Sequence, residues 1–333
     1  MSQPELSICI ATLNRGAYIG QTLDSIIQQN IPSVEIVIVD GGSTDNTAEI
    51  VQAVAKKCPQ VKYVRLTVKG GLDQDYDRAV QEASGKYCWL FSDDDVQIQG
   101  AITKVLEVIQ SEPSLIIVNS QIRDFNLAGV LQERRLKIVD DQRYESDQLS
   151  KLLSDIAFFL SFIGCVIIRR DLWMARDRES YYGTAFVHVG VIFQKPLPAH
   201  TIVLAVPLIQ IRYGNASWIK REFDIWYFRW PRLLHGFSAI SQTVKGKLCP
   251  PDAWRNPKIW MIHHARGTFG WKQYHDLVAP QLTSPWDKLL AKMIICIPVP
   301  LANRLVSLYF AIRRPENILD LYELKELRQK PVL

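Results

Sequence analysis

Glu35-Ile36-Val37-Ile38-Val39-Asp40 runs without a break into Gly41-Gly42-Ser43-Thr44-Asp45. Four successive β-branched residues predict a strand. A strand apolar at every position, not at every second one, is covered on both faces. Asp40 ends it. The two glycines allow a tight turn, and Ser43, Thr44 and Asp45 are helix-capping residues. A helix follows through Ile50, Val51 and Val54. Buried strand, turn and capped helix form the repeating unit of a parallel sheet with helices on both faces.

The same unit recurs on either side. Residues 6–11 read as a strand, and residues 17–29 as a helix with Ile19, Leu23, Ile26 and Ile27 at helical spacing. Residues 61–67 are a third strand, 77–83 a helix, 87–91 a fourth strand, 101–110 a helix and 115–119 a fifth strand. In such sheets ligands bind beyond the carboxyl ends of the strands. Asp40 stands at one such end, and Phe91-Ser92-Asp93-Asp94-Asp95 at another. Three adjacent carboxylates repel one another and are costly to desolvate. A hard divalent cation carrying a phosphorylated ligand accounts for them. So does a solvated acidic turn capping the helix that begins near Gln99.

Composition sets the frame. The chain has 333 residues, 48% hydrophobic and 22% charged, which describes a folded globular protein of one large or two ordinary domains. The six cysteines lack the spacing of a zinc site or a redox pair and point to a reducing compartment. Met1-Ser2-Gln3-Pro4-Glu5 has no basic and long apolar pair of regions, so no leader is expected. The net charge of +5 is concentrated: residues 212–274 hold eleven Lys or Arg against three acids, and six of the nine tryptophans. That pairing has two readings. One is a membrane-interface surface, the other a helical appendage whose tryptophans fill its own core. Nucleic acid is not expected, because no binding motif accompanies the basic stretch. Residues 289–312 are strongly apolar but contain Lys292, Pro298, Pro300, Asn303 and Arg304, which predicts not one membrane span but two short helices, lying in or on a membrane or packed on the body. Residues 316–330 read as a charged terminal helix.

Four segments stand in order at strand ends or helix starts: Ala11-Thr12-Leu13-Asn14-Arg15, Val39 to Asp45, Gly70-Gly71-Leu72-Asp73-Gln74-Asp75-Tyr76-Asp77, and Leu90 to Asp95. Together they resemble the family 2 inverting glycosyltransferases of GT-A fold, over residues 6–195, and most of all the abequosyltransferase-type members. The resemblance implies an α/β, Rossmann-like, mostly parallel mixed sheet flanked by helices, with a C-terminal helical membrane-associating extension. The expected division is a catalytic domain 1–212 (nucleotide-binding half 1–118, acceptor-binding half 119–212) and a helical, basic, Trp-rich region 213–333. The implied activity moves a sugar from a UDP-, CDP-, GDP- or dTDP-linked donor to a hydroxyl of a lipid-linked or glycan acceptor. Mg²⁺ or Mn²⁺ is the implied cofactor, and the implied location is cytoplasmic, peripheral on the inner membrane.

Site residues follow from the motifs. Ala11, Thr12, Asn14, Arg15, Asp40, Gly71, Asp73, Asp77, Asp93 and Asp94 are implied to face the nucleotide-sugar. Asp40 can accept from a base NH where small glycines admit the backbone closely. Asp93 and Asp95 are implied to hold the metal, Asp95 most directly. Asp73 and Asp77 can face the donor sugar or an Arg, or cap a helix. Inversion needs a base for the acceptor hydroxyl. Family members carry an acid where this chain reads Gly183-Thr184-Ala185-Phe186-Val187-His188-Val189-Gly190. His188 is the candidate base in its place, with metal ligation or simple core packing as other readings. Asp177 and Glu179 stand nearby. Arg169, Arg170 and Arg212 can meet a diphosphate or be surface charges. The departure at His188 keeps open a second function, a nucleotide-sugar or glycan-binding module that has lost its base. A nucleotidyltransferase is disfavoured, since residues 11–16 lack a Gly-rich, basic phosphate loop.

Overall fold

The structure is a computed structural model that describes residues 3–68, 70–216 and 218–329. Met1 and Ser2 of the leader reading, Lys330 of the expected terminal helix and the last three residues of the expected C-terminal region lie outside them. The chain divides into two compact units, Met1–Tyr213 with Phe237–Val244, and Gly214–Gly236 with Lys245–Leu333.

The first unit alternates β1 (Leu6–Thr12), α1 (Ile19–Ile27), β2 (Val34–Asp40), α2 (Thr47–Ala55), β3 (Val61–Arg65), α3 (Leu72–Glu82) and β4 (Tyr87–Phe91). The short β5 (Val96–Gln97), α4 (Ala101–Ile109), β6 (Leu115–Arg123), β7 (Val130–Gln132), β8 (Gln142–Tyr144) and α5 (Leu149–Ile156) come next. β9 (Val166–Arg169), α6 (Arg170–Met174), α7 (Val187–Phe193) and β10 (Thr201–Arg212) complete it. The strands form one sheet in the order β3-β2-β1-β4-β9-β6-β10-β5. β3, β2, β1 and β4 are mutually parallel, while β9 runs antiparallel between β4 and β6. The sheet is thus mixed and mostly parallel, as expected.

Alternation builds the core. Ile8 and Ile10, Ile36 and Ile38, Trp89 and Phe91, and Ile116 and Val118 lie two apart on their strands and so share one sheet face. There they meet Leu23 and Ile26 of α1 and Ile102 and Val105 of α4. α3 takes the opposite face, where the Cys9 thiol approaches the Ala79 carbonyl. All six cysteines are free, and Cys9, Cys88 and Cys165 are buried.

One boundary differs from expectation. The helix expected from residue 77 starts at Leu72, directly after Gly71 at φ +103°. Asp73 and Asp75 fall in its first turn, where carboxylates meet the positive end of the helix dipole. Asp73 and Asp75 are therefore helix-starting residues, within a helix that begins five residues earlier than expected.

The second unit is helical among its described residues. Asn256 accepts a hydrogen bond from the Lys258 amide, and Pro257 opens the helix Pro257–Ala265. Ser284 and Pro285 repeat the device for Pro285–Cys296. The helix Val299–Arg313 follows, bent 100° from it, so the two short helices expected here are present. The terminal helix is Ile318–Gln329. Of the six tryptophans in the basic stretch, Trp230, Trp254 and Trp260 are buried. Trp260 stacks on Phe269 at 6.1 Å and donates to the Trp254 carbonyl at 2.5 Å. These tryptophans fill a core, whereas Trp271 is exposed.

Candidate active site

Register brings the motifs together. Thr12 pairs with Asp40 across β1 and β2, and Ile10 pairs with Phe91 across β1 and β4. Three adjacent parallel strands therefore end side by side, and each end carries one motif.

The first two loops are knit to each other. Asn14 adopts φ +56°, a conformation that asparagine tolerates. Its Oδ1 accepts from the Thr44 amide at 2.8 Å, and its own amide donates to Ser43 Oγ at 2.9 Å. The Arg15 amide donates to Thr47 Oγ1 at 2.8 Å, and the Gly16 amide to Asp45 Oδ2 at 3.0 Å. Asp40 sits beneath them with no exposed surface. Its Oδ1 accepts from the amides of Gly42 (3.0 Å) and Ser43 (2.7 Å), and its Oδ2 from the Tyr63 hydroxyl at 2.6 Å. Asp40 thereby shapes the turn, while Ala11 is buried in β1 and Thr12 at its end.

The acidic run lies beside this pair of loops. Arg15 Nε is 3.4 Å from Asp93 Oδ1, and its Nη2 is 3.6 Å from Asp94 Oδ2. The Ser92 hydroxyl donates to Asp94. Asp95 Oδ1 accepts from the Arg212 amide at 2.7 Å, and its carbonyl accepts from Thr22 Oγ1 at 2.8 Å. Burial, then the neighbouring Asp94, pushes the Asp93 carboxyl up to about 7, with Arg15 pulling it back. The same two causes hold Asp95 well above the usual carboxylate range. Tyr76 donates to the Phe91 carbonyl at 3.0 Å, and burial followed by the three acids raises its phenol. These carboxylates are thus not a solvated turn. They are short of positive charge.

Arg212 is part of this site, and its surface reading is corrected. It is 7% exposed. Its Nε donates to the Asp94 carbonyl (3.0 Å), Nη1 to the Phe125 carbonyl (2.8 Å) and Nη2 to Gln21 Oε1 (2.6 Å). Arg212 and Arg15 both lie against the Tyr18 ring, at 5.1 and 5.8 Å. Arg169 and Arg170 take no part: Arg169 pairs with Asp171, and Arg170 donates to the carbonyls of Val80 and Gln81.

Helical spacing sorts the acids of α3. Asp73 and Asp77 are four apart and share a side, while Asp75 points elsewhere. The Asp73 carboxylate accepts from the amides of Ala185 (2.9 Å) and Val187 (3.0 Å), capping α7 from another element. Asp77 accepts from Trp173 Nε1 at 2.7 Å and the Tyr182 hydroxyl, and pairs with Arg178 at 2.9 Å. Both acids tether the segment that runs from Trp173 to Val187. Asp75 was missed by the sequence reading. Its two oxygens lie so close to Gly41 and Gly70 that a Cβ on either glycine would come within 3.0 Å. The signal was the Gly-Gly pair ahead of an i, i+2 pair of acids.

His188 is corrected as base. It is 1% exposed, and Nε2 donates to the Leu160 carbonyl at 2.7 Å. Nδ1 is buried with no hydrogen-bond partner among the described residues, and burial lowers protonation to about 4. An acceptor hydroxyl has no path to such a ring. Because the folded value lies below the usual 6.5, the folded state binds fewer protons than the unfolded one. His188 therefore contributes stability above pH 6.5 that is lost as pH falls toward about 4. The variant His188→Gln keeps a donor for Leu160. It is expected to retain turnover within about tenfold at pH 7.5. It should also lose up to about 3 kcal/mol less stability than the parent between pH 7 and pH 4. A thousandfold drop in turnover with donor binding intact would restore the ring to the chemistry.

The family model described as Glycosyl transferase family 2 matches residues 7–173. The chain belongs to that family. The abequosyltransferase RfbV of Salmonella typhimurium is 29% identical over 233 residues, 65% of this chain and 69% of that protein. The GalNAc(5)-diNAcBac-PP-undecaprenol beta-1,3-glucosyltransferase of Campylobacter jejuni is 29% identical over 200 residues, 59% of this chain and 62% of its own. The crystal structure of TarS residues 1–349 from S. aureus superposes with a TM-score of 0.54 at 16% identity, covering 98% of this chain and 92% of that one. The last likeness concerns the fold. The chain is a family 2 glycosyltransferase.

Proposed function

We propose that this glycosyltransferase moves a sugar, with inversion, from a nucleoside diphosphate donor to a hydroxyl of a lipid-linked or polysaccharide acceptor in cell-surface glycan synthesis. It would work at the cytoplasmic face of a membrane. The observation that carries the reading is the row of strand ends, with Thr12, Asp40 and the acidic run on neighbouring strands. The similarity to the O-antigen type transferase supports the glycan class.

The acids fit a divalent metal. Asp93 and Asp95 are hard oxygen ligands whose burial raises them, so a cation there relieves an existing electrostatic cost. Among the described residues no cluster of three or more acid, His or Cys side chains closes around a point. Two carboxylates leave coordination positions for diphosphate oxygens. Mg²⁺ or Mn²⁺ bound there would offset the charge that develops on the departing nucleoside diphosphate. Asp93 and Asp95 would hold it. Arg15 already lies against Asp93 and Asp94 and would meet a diphosphate as the leaving group gains charge. Asp40, which has no exposed surface, would act through the Gly42–Ser43 turn that its carboxylate holds against the base, with Thr12, Asn14 and Gly71 bordering the nucleotide. Asp73 and Asp77 would act through the loop they hold and not by touching the sugar. The acids exposed on the acceptor-side turn are Asp177 and Glu179. Asp177 accepts from the Ser180 amide at 3.3 Å, which leaves Glu179 the freer base.

Burial of His188 favours one other reading, a binding module that keeps the donor site without turnover. Thermal shift with UDP, CDP, GDP and dTDP, with and without Mn²⁺, tests the shared part. At least one nucleotide is expected to raise the melting temperature by several degrees, more so with Mn²⁺. Indifference to all four would sink both readings. Release of nucleoside diphosphate from the matching sugar donor then separates enzyme from module.

A further inference from the structure

The second unit has apolar faces turned outward. On the helix Pro285–Cys296, Ala291, Ile294 and Ile295 face inward. Trp286, Leu289 and Met293, spaced by three and four, form a second stripe, with Trp286 77% exposed. The helix Val299–Arg313 repeats the arrangement. Ala302, Val306 and Phe310 are buried, while Leu301, Leu305, Leu308 and Ile312 are 49% to 66% exposed along the other side. A water-facing helix surface is normally polar, so two successive helices apolar on both sides call for a partner.

Charge and geometry select that partner. Residues 285–314 carry five cations, Lys288, Lys292, Arg304, Arg313 and Arg314, against the single acid Asp287. An outward Leu stripe flanked by Lys and Arg, with an exposed Trp, is the composition that lies in a headgroup layer. No described helix is long and apolar enough to cross a membrane by itself. The two axes meet at 100° across the break at Ile297 and Pro298. A groove that receives a helix follows one axis. Two axes at right angles share only a plane, and a bilayer surface is a plane.

We propose that the outward stripes of Pro285–Cys296 and Val299–Arg313 are an in-plane docking surface for an anionic lipid bilayer. Of the two stretches read as candidate membrane contacts, the tryptophans at 218–271 thus give way to the helices at 289–312. Three of those tryptophans fill the core, and the exposed apolar residues lie on the next two helices. The proposal rests on the membrane-side reading above only for its purpose. Binding is measured without donor or acceptor, so its failure leaves the transfer chemistry standing.

The test is sedimentation of the full chain with vesicles of phosphatidylcholine alone or mixed with phosphatidylglycerol. The parent chain is expected to sediment with the mixed vesicles and far less with phosphatidylcholine. The pair Leu305→Glu and Leu308→Glu should cut the bound fraction at least about tenfold. Reversal of Arg304, Arg313 and Arg314 to Glu should remove the preference for phosphatidylglycerol. That second variant leaves the apolar residues in place and decides the matter if the first fails to fold. Absence of parent binding, or equal binding by the charge-reversed chain, overturns the proposal. So does a dimer in light scattering that the Leu pair dissolves while vesicles stay unbound, since the occupant would then be a second copy.

Discussion

Asp95→Asn is expected to lower kcat/KM by at least about a thousandfold, roughly 4 kcal/mol of transition-state stabilisation, without weakening the fold. The amide keeps the shape of the side chain, and its Oδ1 can still accept from the Arg212 amide, now at 2.7 Å. What it removes is charge. In the free protein that charge is a liability, because burial and Asp94 already raise the carboxyl. The melting temperature should therefore stay level or rise, as happens when a functional site has been held at the expense of stability. Donor binding that depended on Mn²⁺ should disappear with the charge. Two measurements on one sample decide it, a thermal melt and a titration of nucleotide with and without metal. Unchanged turnover would remove Asp95 from the site. Lost turnover with an unfolded chain would make it structural only.

Much of this site was legible because it is local in sequence. A β-branched run, its terminal Asp and a Gly turn sit within eleven residues, and the acidic run follows another buried strand directly. The sheet follows from repetition of such units. The rest depends on contacts across long separations. Arg212 joins Asp94 and Asp95 from more than a hundred residues away, so its sequence neighbourhood says only that it ends an apolar stretch. The roles of Asp73 and Asp77 depend on where residues 182–187 return to α3. His188 was misread because an imidazole in an apolar stretch has the same local pattern whether it is reachable or buried; Leu160, which occupies its Nε2, lies 28 residues upstream. The tryptophans show the same limit. Cations beside aromatic residues describe a membrane face and a helical core equally well until burial is known.

Arg266→Met is expected to cost about 3–5 kcal/mol of stability in the second unit, and more at pH 8 than at pH 5. Arg266 is 9% exposed. Its Nη1 lies 3.0 Å from Glu222 Oε1, and its Nη2 meets Asp320 directly and Glu323 at 3.3 Å. His263 faces the same Glu222 at 3.5 Å and stays neutral, since burial and Arg266 lower its protonation to about 3. One guanidinium thus balances three carboxylates drawn from two helices, Asp320 and Glu323 sharing the terminal one. Burial raises Glu222 to about 7 and also lifts Glu323, and in both cases Arg266 pulls down against the neighbouring acids. A carboxyl raised in the folded state contributes stability that is complete below its ordinary value near 4.5 and is lost as pH climbs through the folded one. Without Arg266 the folded values rise further. The acids can then be accommodated as neutral groups at pH 5 but must be buried charged at pH 8. Denaturant unfolding at the two pH values measures the difference, and adding Glu222→Gln and Glu323→Gln should recover part of the loss at pH 8. A cost equal at both pH values would mean that Arg266 acts through packing and not through its charge.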